Sequence, residues 1–379
     1  VPGFSVQVVE TRSGAIIHNG LPVLGTPEFS RSLNDDSTIK VTVPVGDRGV
    51  PSVQKLRNLV APWRFSLAVS YGPPKPGNPI LSYGPIMAHS FADAGSTLTI
   101  GAGSIWALLA RRLLIKPGSV LASPLSMDAA MDANYASMTL WAIARNLVND
   151  TLSRGTGYEL PIDLPASTVG INDRNYPVYD LASVGTRLKD ITQVEQGPDI
   201  DWEPYFSSSS TVRVTMRVGT PALSQVGQEL IWDYGTSLTF LDVDSNSSNM
   251  ATDVFGRGNA TERASQVAWA SDRSLVTGGF PVLETIDTSH QSVEDFPTLQ
   301  GHANESVRFY KTPVETWDGE VITDVSPIVG TYKPGDSAKF NVQKHVWIPP
   351  GLYQQRILGW SNADPGRLKL NLQALQGAT

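Results

Sequence analysis

The chain has 379 residues, 41% of them hydrophobic, enough for more than one unit with its own core and too apolar for a disordered polymer. It has no cysteine, which excludes disulfides, thiolate zinc sites and cysteine nucleophiles, and its formal net charge of −7 argues against a broad phosphate-gripping surface. With 33 glycines, 27 prolines and only 17% charged residues, the composition suits many short strands joined by turns.

The first predicted elements are strands. After the turn at Asn34-Asp35-Asp36, Ile39, Val41 and Val43 alternate with Lys40 and Thr42, and a second turn follows at Val45-Gly46-Asp47. Trp63, Phe65, Leu67, Val69 and Tyr71 then alternate with Arg64, Ser66, Ala68 and Ser70, which predicts a strand with one face buried. The loop from Gly72 to Gly77 leads to short strands over Ile80 to Phe91 and Thr97 to Ile100. From Ser104 to Ile115 the period becomes helical: Ile105, Trp106, Leu108, Leu109, Leu113 and Leu114 share one side and leave Arg111 and Arg112 outside. A small β domain closed by a helix is expected over residues 1–115.

Two helices are predicted in the middle. One covers Asp128 to Asp150, with Ala136, Leu140, Ile143, Ala144, Leu147 and Val148 on its packed face. The other runs from Leu181 to Val194 on a stripe of Leu181, Val184, Leu188 and Ile191, with Asp180 as N-cap. Strand returns at Val212, Val214, Met216 and Val218, and β character continues from Leu230 to Asp244 before a polar loop, Asp244 to Asn249. A further helix should follow Asp295, with Pro297 tolerated in its first turn and Leu299, Ala303, Val307 and Tyr310 facing inward. After Pro313 the pattern is strand again, through Ala338, Phe340 and Val342 and through Leu368, Leu370 and Leu372, with a tight turn at Lys333-Pro334-Gly335-Asp336. The expected fold is β-rich α+β. Two β-barrel or sandwich domains, each with a packed helix, flank a mixed α/β middle, with borders at 1–115, 116–284 and 285–379.

No set of residues reads as a reaction centre, a cofactor site or a metal site. His18, His89, His290, His302 and His345 lack the three- to five-residue spacing of a helical metal pair. Gly101-Ala102-Gly103 and Gly256-Arg257-Gly258 complete neither glycine-rich phosphate motif and read as bulges or turns beside strands. Carboxylates gather at Asp35-Asp36, Asp199 to Glu203 and Glu294-Asp295. Turn, loop and cap roles account for them, although a hydrolase would need only two facing acids. Trp63, Trp106 and Trp141 fall within packing patterns, whereas Trp202, Trp347 and Trp360 do not; Trp202 and Trp360 are candidate glycan contacts. Arg111 and Arg112 either hold their helix face in water or pair with a neighbouring subunit. The four Asn-x-Ser/Thr matches, at Asn149, Asn246, Asn259 and Asn304, read as chance sequons, because Val1 to Gln7 lacks the pattern of an export signal. No apolar run approaches the roughly 20 residues of a membrane helix, so no membrane insertion is expected.

The order of these motifs resembles a known family. It is carried by Trp63-Arg-Phe-Ser-Leu; by Gly84-Pro-Ile leading through Thr97-Leu-Thr-Ile to Leu108-Leu-Ala-Arg-Arg-Leu; and by Gly197-Pro-Asp-Ile followed by Arg217-Val-Gly-Thr-Pro. It continues with Gly279-Phe-Pro-Val-Leu-Glu, the helix of Leu299 and Ala303, Tyr332-Lys-Pro-Gly-Asp and Arg356-Ile-Leu-Gly. In this order the chain resembles tail hub proteins of long-tailed bacteriophages, specifically the Gp37-like minor tail proteins of phages that infect actinobacteria. The resemblance implies a structural, non-enzymatic virion protein of the tail tip or baseplate, without cofactor. It implies a homotrimer in which each chain supplies two domains like the tail-tube subunit, so that a pseudo-hexameric ring continues the tube. Implied partners are the distal tail protein, the tape-measure protein and other minor tail or fibre proteins, with genomic DNA passing without specific binding. The alternatives are a carbohydrate-binding module at the tail tip and, further off, a cell-wall hydrolase.

Overall fold

The computed structural model describes residues 3–46, 51–117, 127–194, 196–224, 227, 229–258, 266–288, 296–311, 313–363 and 365–374. Asp47, Gly118, Asn259, His290, Glu294 and Asp295, on which several expectations fall, lie outside the described residues. The chain forms two compact units: Val1–Leu241 together with Asp318–Thr379, and the inserted Asp242–Trp317. The expected borders at 115 and 284 therefore do not divide it, because both β-rich ends belong to the first unit.

That unit opens with β1 (Phe4–Glu10), β2 (Ile16–His18), β3 (Glu28–Ser32) and β4 (Ile39–Pro44), then a short helix α1 (Val53–Leu59) capped by the Ser52 hydroxyl. The strand expected from Trp63 is β5 (Phe65–Tyr71); Trp63 itself turns the chain into it at φ +64°. All seven β5 residues are buried, not one face only. Its small residues make this feasible, since Ser70 accepts a hydrogen bond from Gln7 and Ala68 lies under a second apolar layer. Strands β6 (Ile80–Ala92) and β7 (Thr97–Ala102) follow, and then α2 (Ile105–Ala110). This helix is shorter than its apolar stripe implied: the chain leaves it at Arg111, and Leu113 is exposed.

The middle segment packs onto this β layer and does not stand apart. It comprises β8 (Ala133–Met138), α3 (Leu140–Leu152), β9 (Ile162–Asp163), β10 (Asn172–Tyr176), α4 (Val184–Thr192), β11 (Ile200–Ser208) and β12 (Thr211–Val218). The helix expected from Asp128 starts only at Leu140, where the Thr139 hydroxyl accepts from Ala142 N–H. Upstream, Ala133 and Tyr135 are buried while Asn134 and Ala136 are exposed, so a strand alternation inside an alanine-rich stretch overrides helix propensity. In α4 the cap is Ser183, and Asp180 instead pairs with Arg187 at 2.7 Å. Buried side chains of α2, α3 and α4 meet Val212, Val214 and Met216 of β12 in one core, where Trp106 and Trp202 stand edge to face at 6.0 Å.

After β13 (Leu230–Asp233) comes β14 (Leu238–Asn246), which extends through the first residues of the expected polar loop. The second unit holds β15 (Asp253–Arg257), β16 (Val267–Ser271), α5 (Ser274–Thr277), β17 (Glu284–Asp287) and α6 (Phe296–Tyr310). As expected, Leu299, Ala303 and Val307 form the inner face of α6, packed on Val254, Ala268 and Ala270. Asp272 ties this unit together by accepting from the Ser274 hydroxyl and N–H at 2.6 and 2.9 Å and from Lys311 at 3.1 Å. The Ser274 bonds, with Lys311, hold its carboxyl at about 2, below the ordinary 3.8. A depressed carboxyl stabilises the fold above its unfolded pKa and stops doing so as pH falls through its folded one. Asp272→Asn should therefore lower the melting temperature at neutral pH, with the deficit narrowing below about pH 3.8 and closing near pH 2 in thermal melts.

The chain re-enters the first unit within β18 (Val314–Ile322), at Asp318, and completes it with β19 (Ser337–Val342), β20 (Gly351–Asn362) and β21 (Arg367–Ala374). The turn into β19 forms as expected, Asp336 N–H donating to Lys333 C=O at 3.1 Å and Gly335 taking φ +94°.

Candidate functional site

The sheet of the first unit reads β14-β18-β21-β20-β3-β4-β7-β6-β5-β1-β2, with β19 also on β20 and β13 on β19. Cut between β20 and β3, it gives two sets with one strand order: β3-β4-β7-β6-β5-β1 and β14-β18-β21-β20-β19-β13. The chain visits both sets in the same sequence, so β1, β3, β4, β5, β6 and β7 correspond to β13, β14, β18, β19, β20 and β21. Register agrees as well. Ser66 pairs with Pro85 as Ser337 pairs with Arg356, and the ladders on β7 and β21 each shift by one residue, at Met87 and at Leu358. A β-bulge is a position-specific device, so its recurrence at matched places marks an internal repeat. The sets differ at one rim, where β1 runs antiparallel to β5 but β13 runs parallel to β19.

The two repeats meet at a seam where β20 pairs antiparallel with β3: Gly359 with Ser32, Trp360 with Arg31 and Ser361 with Ser30. Gly359 has no room for a side chain, because a Cβ there would overlap the Arg31 carbonyl oxygen. Behind the seam lies a cluster of ion pairs. Arg31 binds Asp201 with both arms, Nε to Oδ1 at 3.0 Å and Nη2 to Oδ2 at 2.6 Å, and its guanidinium lies 5.1 Å from the Trp360 ring centroid. Arg217, the cross-strand partner of Asp201, donates to the same carboxylate at 2.9 Å and to the Pro334 carbonyl at 3.1 Å. Lys333 reaches Glu203 at 2.6 Å, and Arg356 pairs with Asp199, which also accepts from Asn34 at 3.0 Å and from Leu223 N–H at 2.8 Å. Nearby, burial raises the Asp336 carboxyl against the pull of its Lys333 N–H bond and of Arg217. One polar knot thus joins β3 of the first repeat, β11 and β12 of the middle, and β20 of the second repeat.

These contacts decide several sequence expectations. Of the acids from Asp199 to Glu203, Asp199 lies in the loop that leads into β11, as expected, whereas Asp201 and Glu203 stand on the strand, and each of the three is paired with arginine or lysine. Asp35 pairs with Lys189 at 2.7 Å, and that bond draws its carboxyl below the usual range; Asp36 accepts from Ser37 N–H at 2.9 Å and from Ser104. Trp202 and Trp360 do not offer ring faces to a sugar. Trp202 is 7% exposed against Trp106, and Trp360 is 3% exposed beneath Arg31, its indole N–H donating to Leu81 C=O at 3.1 Å. Trp347 is the exposed member of that trio, at 80%.

Arg111 is exposed, 5.8 Å from the Trp63 ring centroid, whereas Arg112 donates to the Tyr158 carbonyl at 2.5 Å. His345 accepts from the N–H groups of Trp347 and Ile348 within the β19–β20 turn, burial lowers the His18 imidazole, and His89 is exposed on β6. Among the described residues no group of three or more histidines and acids could hold a metal, and no helix is long and apolar enough to cross a membrane.

The whole chain is similar in fold to two solved structures. One is the tail protein from Neisseria meningitidis MC58, at 12% identity, covering 98% of this chain and 96% of that one with a TM-score of 0.52. The other is the 43 kDa tail protein of prophage MuSo2 from Shewanella oneidensis, at 10% identity, covering 97% and 98% with a TM-score of 0.57. No protein-family model and no curated protein matches the sequence. At such identities the likeness establishes a common fold, that of tail proteins, over nearly the full length of each chain.

Proposed function

We propose that this chain is the structural hub of a long-tailed phage tail tip, three copies forming a ring that continues the tail tube, and that it is not an enzyme. The internal repeat carries the reading. Two β units of one topology, paired edge to edge within a chain, give six such units in a trimer, which matches the symmetry of a hexameric tube. The fold shared with tail proteins over almost the entire length supports the same reading, as does the sequence resemblance to Gp37-like minor tail proteins. In that place the ring would contact the distal tail protein, the tape-measure protein and fibre components. A net charge of −7 suits a channel that lets DNA pass without adhering.

The test is the mass and the image of the full chain in solution. Light scattering should give the mass of a trimer, and negative-stain class averages should show a threefold ring with a central channel. A chain that remains monomeric at high concentration and shows no ring would overturn the proposal.

A further inference from the structure

The seam inside the chain uses one edge from each repeat, and each repeat keeps the edge that its counterpart has spent. On the second repeat the C-terminal half of β20 is covered by β3. The matching half of β6, Met87 to Ala92, pairs with β7 on one side, and among the described residues nothing pairs with its other side. Exposure follows the difference: Gly359 and Trp360 are buried, whereas all six residues from Met87 to Ala92 are exposed, Met87 at 43% and Phe91 at 55%. Conversely β3 lies between β4 and β20, whereas its counterpart β14 ends the sheet path and, among the described residues, has only β18 as a strand neighbour. An open β6 edge and an open β14 edge on each copy are the two halves of the seam that the chain already makes.

We infer that β14 of a second copy pairs antiparallel with the open edge of β6, repeating between subunits the junction that β3 and β20 make within one. Matching the bulges at Met87 and Leu358 sets Ala88, His89 and Ser90 where Gly359, Trp360 and Ser361 stand, so Ala88 to Ser90 receives the incoming strand. Because Ala88 carries a methyl where Gly359 has none, that strand passes slightly farther out than β3 does. Beside the edge lies an apolar cleft of about 390 Å³ bounded by Val45, Val53, Leu56, Val60, Phe91 and Leu98. The side chains of an arriving strand can fill it, and on β14 Phe240 is 48% exposed. Unpaired edges with apolar side chains attract other strands, and a head-to-tail contact closes only into a ring or runs on as a filament.

The inference rests on the ring reading, and the absence of cysteine allows the two to be tested apart. Full-length chains carrying Ser90→Cys and one cysteine at a time from Phe240 to Ser245 are oxidised, and the products are separated without reductant. Ser90→Cys with Ser209→Cys, in the β11–β12 turn, serves as control. Disulfide-linked dimers and trimers at two or three β14 positions, with none in the control, are expected. Without cysteines, the pair Met87→Lys and Phe91→Lys should weaken trimer formation at least tenfold at an unchanged melting temperature. Threefold rings that form without any β14 crosslink would overturn the edge assignment and leave the ring standing. Chains that neither associate nor crosslink would overturn both.

Discussion

Asp201→Ala should destabilise the first unit by roughly 3–5 kcal/mol, more than the same change at any single arginine around it. The carboxylate is almost fully buried, its side chain 1% exposed, and two guanidinium groups that are themselves 7% and 15% exposed depend on it. Removing it strands Arg31 in a poorly hydrated site and leaves Arg217 with the Pro334 carbonyl and longer contacts to Glu203 at 3.6 Å and Asp336 at 3.7 Å. Arg31→Ala is different, because Asp201 keeps Arg217 at 2.9 Å and the loss is one bidentate pair with its stacking on Trp360. Its expected cost is about half as large, near 2 kcal/mol. Urea unfolding of the two variants, followed by tryptophan fluorescence, measures the order. Equal midpoints would mean that Arg217 cannot hold the carboxylate alone and that the two pairs act as one.

Much of this architecture was legible in the sequence where one period dominated a long stretch. The alternations of β4, β12, β19 and β21 and the inner face of α6 were all readable, because each element packs one apolar face against a single layer. The stretch from Asp128 to Asp150 was misread because alanine serves both periods, and only tertiary contact with Tyr176, 6.1 Å from Tyr135, shows that its first half holds a strand. The domain borders were hidden for another reason. Pairing between Ser30 and Ser361 is a contact across the length of the chain, and no local pattern encodes it. One signal for the polar knot did lie in the sequence. Asp201 on β11 and Arg217 on β12 flank a short turn in two alternating strands, as a cross-strand ion pair requires, and they face each other; Glu203 faces Thr215, and Arg213 reaches back to Asp163. Trp202 and Trp360 lacked a clear period because each packs against residues distant in sequence, and burial followed from that and not from their own strands.

The seam gives a sharper contrast, between Gly359→Val and the same change at its counterpart, Ala88→Val. A side chain at Gly359 would overlap the Arg31 carbonyl and lie 3.0 Å from Ser32 Cα, both backbone atoms of a strand held by β4 on its far side, so β3 cannot give way without losing its pairs. Displacing β3 also moves Arg31 off Trp360 and away from Asp201, which adds the disruption of a buried ion pair to the steric cost. A loss of roughly 3–5 kcal/mol is expected, together with loss of the tryptophan signal that reports burial of Trp360. Ala88 is exposed, paired with β7 on one side and, among the described residues, with no strand on the other, so a valine there should change stability by less than about 0.5 kcal/mol. If β6 and β14 join between subunits, the Ala88 variant should fold normally and yet assemble poorly, because its enlarged side chain meets the incoming strand. Paired melting and light-scattering measurements therefore separate an edge that stabilises the fold from an equivalent edge kept for assembly. Gly359→Val melting with the parent protein would instead show that β3 and β20 do not need each other, and the correspondence between the two seams would then lose its basis.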